Sequence, residues 1–141
     1  MTDSAVRRAR WLAPALVLLL TLLATLGCAA AWILVALAAG RQSSWMAVVA
    51  AVDAAVLLRV ARAPSGLPRA VAGVAATLAT IALANWGIAA GEIGRSVGML
   101  PWDAAIRLGP DYAWTLAGLA NGTADRLWLA TAVVIAAIGS R

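Results

Sequence analysis

The chain lacks several residue types on which common enzyme sites depend. It contains no histidine, lysine or phenylalanine, and its one cysteine is Cys28. Without histidine it has neither the base of a Ser-His-Asp triad nor the commonest zinc ligand. A single cysteine excludes an intrachain disulfide and a cysteine-based metal site. We therefore predict a protein that is not an enzyme and that holds no metal or cofactor.

Charge is also scarce. Charged residues make up 12% of the 141 residues and hydrophobic residues 64%, whereas about a quarter of a typical soluble domain is charged. The net charge of +5 comes entirely from arginine. Because these arginines cluster beside apolar runs, they indicate membrane topology, and no nucleic-acid partner is expected. Arginine without lysine, together with abundant alanine, is typical of a GC-rich bacterial genome.

Long uncharged runs fix the expected fold class. Residues 11–40 carry no charge, and as a helix they would measure about 45 Å, more than the roughly 30 Å core of a bilayer. Further apolar runs follow. We predict one all-α integral membrane domain, residues 1–141, forming a four-helix transmembrane bundle. Its spans are expected at about 11–40, 45–61, 70–91 and 126–140, and residues 92–125 would form an outer interfacial loop.

The distribution of arginines and aromatic residues predicts the orientation. Arginines are concentrated before the first span and in the second loop, at positions 7, 8, 10, 59, 62 and 69. The positive-inside rule then places both termini in the cytoplasm, for a protein of the bacterial inner membrane. Most aromatic residues would lie near the outer interface as anchors, namely Trp32, Trp45, Trp86, Trp102, Tyr112, Trp114 and Trp128.

The third loop contains signals for two short amphipathic helices. Pro101 and Pro110 are typical first residues of a helix, and Gly109 and Asn121-Gly122 are typical terminators. The apolar side of this loop would lie on the outer bilayer surface or cap the bundle. It is interpreted either as a structural lid or as a platform for a partner or a lipid.

Asp53 is the most conspicuous polar residue of the second span. An ionisable side chain inside a membrane span is costly, and it indicates a functional site with a charged or polar partner. Arg59 would lie about 120° away around the same helix, so we expect a partner such as Arg10 or Arg62. Asp53 is either a structural hydrogen-bonded carboxyl or the centre of an ion or proton site.

The third span combines a polar face with a small-residue face. Asn85 and Glu92 are seven residues apart and share one side, and Glu92 is expected to form a rim ion pair with Arg95. These two residues complete the candidate polar site with Asp53. Small residues line roughly the opposite side and predict close packing within the bundle or in a homo-oligomer: Gly73, Ala76, Thr80, Ala84, Gly87 and Gly91.

The sequence leaves two questions open, namely processing near the N-terminus and function. Residues up to Gly27-Cys28 resemble a bacterial lipoprotein signal, although Thr25 and the apolar residues after Cys28 depart from that pattern. The expected function is a non-catalytic accessory or structural membrane subunit, with the lipid bilayer and other membrane subunits as partners. The alternative is a small oligomeric ion- or proton-coupled transporter or channel that uses Asp53.

Overall fold

A computed structural model describes the backbone of residues 3–141 and the side chains of residues 12–141. No strand occurs within residues 3–141, so the predicted all-α class is confirmed. The side chains of Arg7, Arg8, Arg10 and Trp11 lie outside the described residues. Residues 3–141 form six helices: α1 (Asp3–Ala39), α2 (Met46–Val60), α3 (Leu67–Val97), α4 (Pro101–Leu108), α5 (Pro110–Ala120) and α6 (Thr123–Gly139).

Two helices are clear candidates for crossing a membrane. Leu12–Ala39 of α1 and Leu67–Val97 of α3 are long and apolar enough. The 15 residues of α2 and the 17 of α6 measure only about 22 and 25 Å, short of a roughly 30 Å core. Helices α5 and α6 pass the test together, but they are bent by 110° at the break between them. The helix lengths therefore do not confirm a four-span bundle.

Helix boundaries follow local capping rather than the edges of the apolar runs. α3 continues to Val97, six residues beyond the predicted span 70–91, because exposed charged residues do not interrupt a helix. It ends at Gly98, whose φ of 69° suits glycine. α6 begins at Thr123 rather than at 126, where the Gly122 N–H donates to the Asp125 carboxylate at 3.0 Å. The predicted loop 92–125 is thus largely helical.

α3 is the central helix of the fold and contacts the other five helices. Gly87 faces Ile33 and Gly91 faces Leu37, so α1 and α3 run in the same direction. α6 runs the opposite way, because Asn121 bonds Asn85 at its start. At its other end Ser140 packs against Gly73. The four longest helices, α1, α2, α3 and α6, therefore alternate in direction along the chain, and α4 and α5 form the connection from α3 to α6. α2 lies between α1 and α6.

The core is built largely from alanine around one large aromatic side chain. Trp32 is wholly buried and packs with alanines of α1, α2, α3 and α6. Because alanine is small, the helix axes approach closely, and backbones pack together where larger side chains would otherwise interdigitate. The outward side of α1 carries large side chains instead. Its leucines are each more than half exposed, at positions 12, 16, 18, 19, 22, 23, 26 and 34, which suits an apolar surrounding.

The two short helices predicted for the third loop are confirmed. α4 starts at Pro101 and α5 at Pro110, and Gly109 between them adopts a φ of 66°. α4 folds back along the second half of α3. There the indole N–H of Trp86 on α3 donates to the Ala105 carbonyl on α4 at 3.1 Å. The loop is consequently tied to the helical bundle rather than detached from it.

Candidate functional site

Three carboxamide side chains meet at one end of the bundle, and we call Gln42, Asn85 and Asn121 the amide cluster. The Asn85 Oδ1 accepts from Gln42 Nε2 at 2.5 Å and from Asn121 Nδ2 at 2.7 Å. These bonds join the α1–α2 loop, α3 and the break between α5 and α6. The cluster is therefore a three-way connection between segments that are distant in sequence.

The α1–α2 loop is shaped to deliver Gln42 to this cluster. Ser43 has a φ of 51°, an uncommon conformation for a residue with a side chain. The Trp32 indole N–H donates to the Gln42 carbonyl at 2.9 Å. Trp32 was predicted as an outer interfacial anchor, and that role is wrong, because its side chain is 0% exposed. Its polar N–H is satisfied inside the bundle by the loop backbone instead of by lipid headgroups.

The remaining predicted anchors are accessible to different degrees. Trp86 is half-buried by its bond to α4. The other five are 44–80% exposed, which suits contact with headgroups; they are Trp45, Trp102, Tyr112, Trp114 and Trp128.

Beside the amide cluster lies an apolar groove of about 710 Å³. Its walls come from α3, α5 and α6, and Asn85 and Asn121 reach it from the cluster. Cavities of about 300–1,000 Å³ are the usual size for small-molecule sites. Six apolar residues represent its walls: Leu78, Ala82, Trp86, Ala113, Trp114 and Leu129.

Arg126 is the single charged residue among the described residues that line the groove. It lies in the first turn of α6, and its guanidinium donates to the Gly118 carbonyl at 3.2 Å. The adjacent Asp125 carboxylate accepts from the Gly122 N–H, so it is engaged in capping α6. The groove thus combines an apolar interior with one positive charge.

Asp53 occupies a different polar position, which we call the Asp53 cleft. The cleft is a small cavity of about 10 Å³, and Thr21, Thr25 and Thr80 contribute hydroxyl-bearing side chains to its lining. Asp53 forms no hydrogen bond or ion pair with any side chain that the structure describes. Of its two expected partners, Arg62 makes no such pair, and the side chain of Arg10 lies outside the described residues. The cleft can accommodate about one water-sized species.

Glu92 belongs to neither polar site. It pairs with Arg95 at 3.7 Å, as predicted, and both side chains are more than half exposed. Arg95 also donates to the Leu37 carbonyl at 3.1 Å. The shared face of Asn85 and Glu92 therefore does not assemble a common site, because Glu92 lies two turns beyond the buried cluster.

The small-residue stripe of α3 faces several neighbours. Gly87 and Gly91 lie against α1, Gly73 lies against Ser140 at the end of α6, and Ala76 and Thr80 line the Asp53 cleft. Ala84 is fully buried in the core. These contacts are within the chain, so the stripe is used for packing in the monomer.

Several polar residues of these sites have little signal in the sequence. Gln42 and Arg126 belong to no motif that predicts a tertiary contact. Arg69 is one of the arginines that indicate topology, and its guanidinium also donates to the carbonyls of Ser140 and Arg141 at 2.8 and 2.7 Å. One signal was available for Asn121, since a polar Asn-Gly pair separates two apolar helices.

The described part of the chain contains no group of three or more Cys, Asp and Glu side chains placed to hold a metal. No known protein family, curated protein or solved structure matches the chain. The groove, the amide cluster and the Asp53 cleft therefore provide the basis for assigning a function.

Proposed function

We propose that the protein is a small, non-catalytic accessory or structural subunit of the bacterial inner membrane, with four spans and both termini in the cytoplasm. Support for the short spans comes from their outward apolar faces. Val56 and Val60 of α2 and Leu127 and Ile138 of α6 are each more than half exposed. Short helices cross a bilayer when it thins locally or when their flanking residues extend to the interface.

The observation that carries the subunit assignment is an apolar surface on α4 and α5, which we call the outer surface. Its five large side chains are each at least 61% exposed: Trp102, Ile106, Tyr112, Trp114 and Leu119. Exposed apolar patches rich in tryptophan and tyrosine mark interaction sites. The surface lies outside the two long apolar helices α1 and α3. We propose a partner subunit as its occupant, in place of lipid headgroups, because tryptophan and tyrosine are enriched at protein interfaces.

Site-specific photocrosslinking in native membranes tests this proposal. A photoreactive amino acid at Ile106, which is 82% exposed, is expected to give a discrete protein–protein adduct. The matched control carries the same photoreactive amino acid in place of Val60, which is 76% exposed on α2, and it is expected to crosslink to lipid. Lipid adducts alone at Ile106 would contradict a subunit role. Trp114→Ala should also reduce recovery of the crosslinked partner in co-purification.

A small oligomeric ion- or proton-coupled transporter is the second candidate, and the position of Asp53 favours it. Asp53 and three threonines line one cleft of water size, Asp53 bonds no side chain among residues 12–141, and an acid inside a membrane span is typical of an ion or proton path. If this function holds, Asp53→Asn abolishes proton or cation flux into liposomes that contain the protein. Glu92→Gln, at the exposed ion pair, is the matched control and should leave the flux unchanged.

A further inference from the structure

We propose that the groove between α3, α5 and α6 binds an anionic phospholipid, with an acyl chain against its apolar walls and the phosphate at Arg126. The proposal rests on membrane residence and does not depend on a partner subunit or on transport through Asp53.

The interior of the groove has the chemistry of an acyl-chain site. Its volume of about 710 Å³ is in the range of ligand sites, and its walls are alanine, leucine, isoleucine and tryptophan side chains. Trp86 and Trp114 stand on two different helices that border it. Tryptophan prefers the headgroup level of a bilayer, so their presence indicates that one end of the groove lies near that level.

Charge selects the headgroup. Arg126 is the single charged residue that the described lining contributes. One of its donors bonds the Gly118 carbonyl, and a guanidinium has five N–H donors in a planar fork that matches phosphate oxygens. The neighbouring Asp125 is engaged with the Gly122 N–H. The groove is therefore complementary to a phosphate, and the positive charge of Arg126 disfavours the additional cationic group of a zwitterionic headgroup.

The amide cluster supplies a second polar contact. Asn85 is 7% exposed and lines the groove, and one of its two amide N–H groups donates to the Ile81 carbonyl at 2.9 Å. The second N–H has no acceptor among the described residues. Because a buried donor gains from an acceptor, we expect this N–H to donate to an ester carbonyl of the bound lipid.

Native mass spectrometry of the full-length protein tests the assignment. The protein, released from detergent micelles, is titrated with phosphatidylglycerol and with phosphatidylcholine of the same acyl chains. We expect phosphatidylglycerol to bind about tenfold more tightly, and Arg126→Gln to remove that preference. Arg107→Gln, which removes an outer-loop arginine that does not line the groove, is the matched control and should retain it.

Two further variants separate binding from folding. Arg126→Lys keeps the charge and should keep a measurable preference for phosphatidylglycerol. Ala82→Phe places a large side chain in the groove at an exposed position, and it should weaken the binding of both lipids to a similar extent. Equal binding of the two lipids by the wild-type protein would overturn the proposal. So would an Arg107→Gln effect as large as that of Arg126→Gln, or unchanged lipid binding in Ala82→Phe.

Discussion

The amide cluster and the Asp53 cleft are two polar regions along the same central helix, and they differ in how their polar groups are satisfied. In the cluster, Asn85 bonds side chains that lie 43 and 36 residues away in sequence. In the cleft, the Thr21 and Thr80 hydroxyls bond carbonyls of their own helices, and Asp53 bonds no described side chain. One region connects distant segments, and in the other the carboxyl bonds none of the side chains of residues 12–141.

The chemistry of the groups explains this difference. Neutral amides donate and accept, so the Asn85 oxygen accepts from two other amides while Asn85 and Asn121 also donate to backbone carbonyls of their own helices. An ionised carboxylate can only accept hydrogen bonds, and it is much more costly to bury. We therefore expect the amide cluster to contribute to stability and the Asp53 carboxyl to contribute little.

The largest effect is expected for Asn85→Leu. The substitution removes the Asn85 oxygen that accepts from both Gln42 and Asn121. The Gln42 amide then has no described acceptor, whereas the Asn121 amide keeps only its bond to the Ala117 carbonyl. We expect the free energy of unfolding to fall by about 1–3 kcal/mol, measured by equilibrium unfolding in mixed micelles. Thr131→Val, at an exposed hydroxyl that bonds its own helix, is the control and should have little effect. An effect no larger than that of the control would show that the cluster contributes nothing to stability.

The next largest effect is expected for the coupling energy between Asn85 and Asn121. In the double variant Asn85→Leu/Asn121→Leu, the donor and the acceptor of their bond are removed together, so fewer donors remain unpaired than in Asn85→Leu alone. The double variant should therefore lose less stability than the sum of the single variants, with a coupling of about 0.5–1.5 kcal/mol. A double-mutant cycle on the same unfolding assay measures it, and strict additivity would contradict a direct bond.

The smallest effect on stability, with the opposite sign, is expected for Asp53→Asn. Because the half-buried carboxyl has no described partner, a neutral amide of the same shape costs less to desolvate. The free energy of unfolding should stay constant or rise by up to about 1 kcal/mol. A loss of more than 1 kcal/mol would show that Asp53 is a structural acceptor, and the two polar regions would then be alike.

Features that depend on neighbouring residues could be predicted from the sequence, whereas features that depend on residues far apart in the sequence could not. Pro101, Pro110 and Gly109 marked α4 and α5 correctly, because a helix start or stop is set by backbone conformation within a few residues. The ion pair of Glu92 and Arg95 is equally local. Trp32 was misplaced because its burial depends on a loop that folds back ten residues later. The bonds of Gln42 and Asn121 were missed because no local pattern encodes a contact across 36 or more residues.

By itself, the sequence determined that the chain is helical and contains long apolar segments, and where its short helices begin; it predicted four spans, of which the helix bounds support two clearly. These properties follow from hydropathy, helix length and turn residues, which act over short distances. Tertiary structure decided that α3 is central, that three amides meet, that Asp53 faces a cleft without a described partner, and that Arg126 borders an apolar groove. The physical reason is that satisfying a polar group away from water depends on which distant donors and acceptors the packed helices bring within bonding distance.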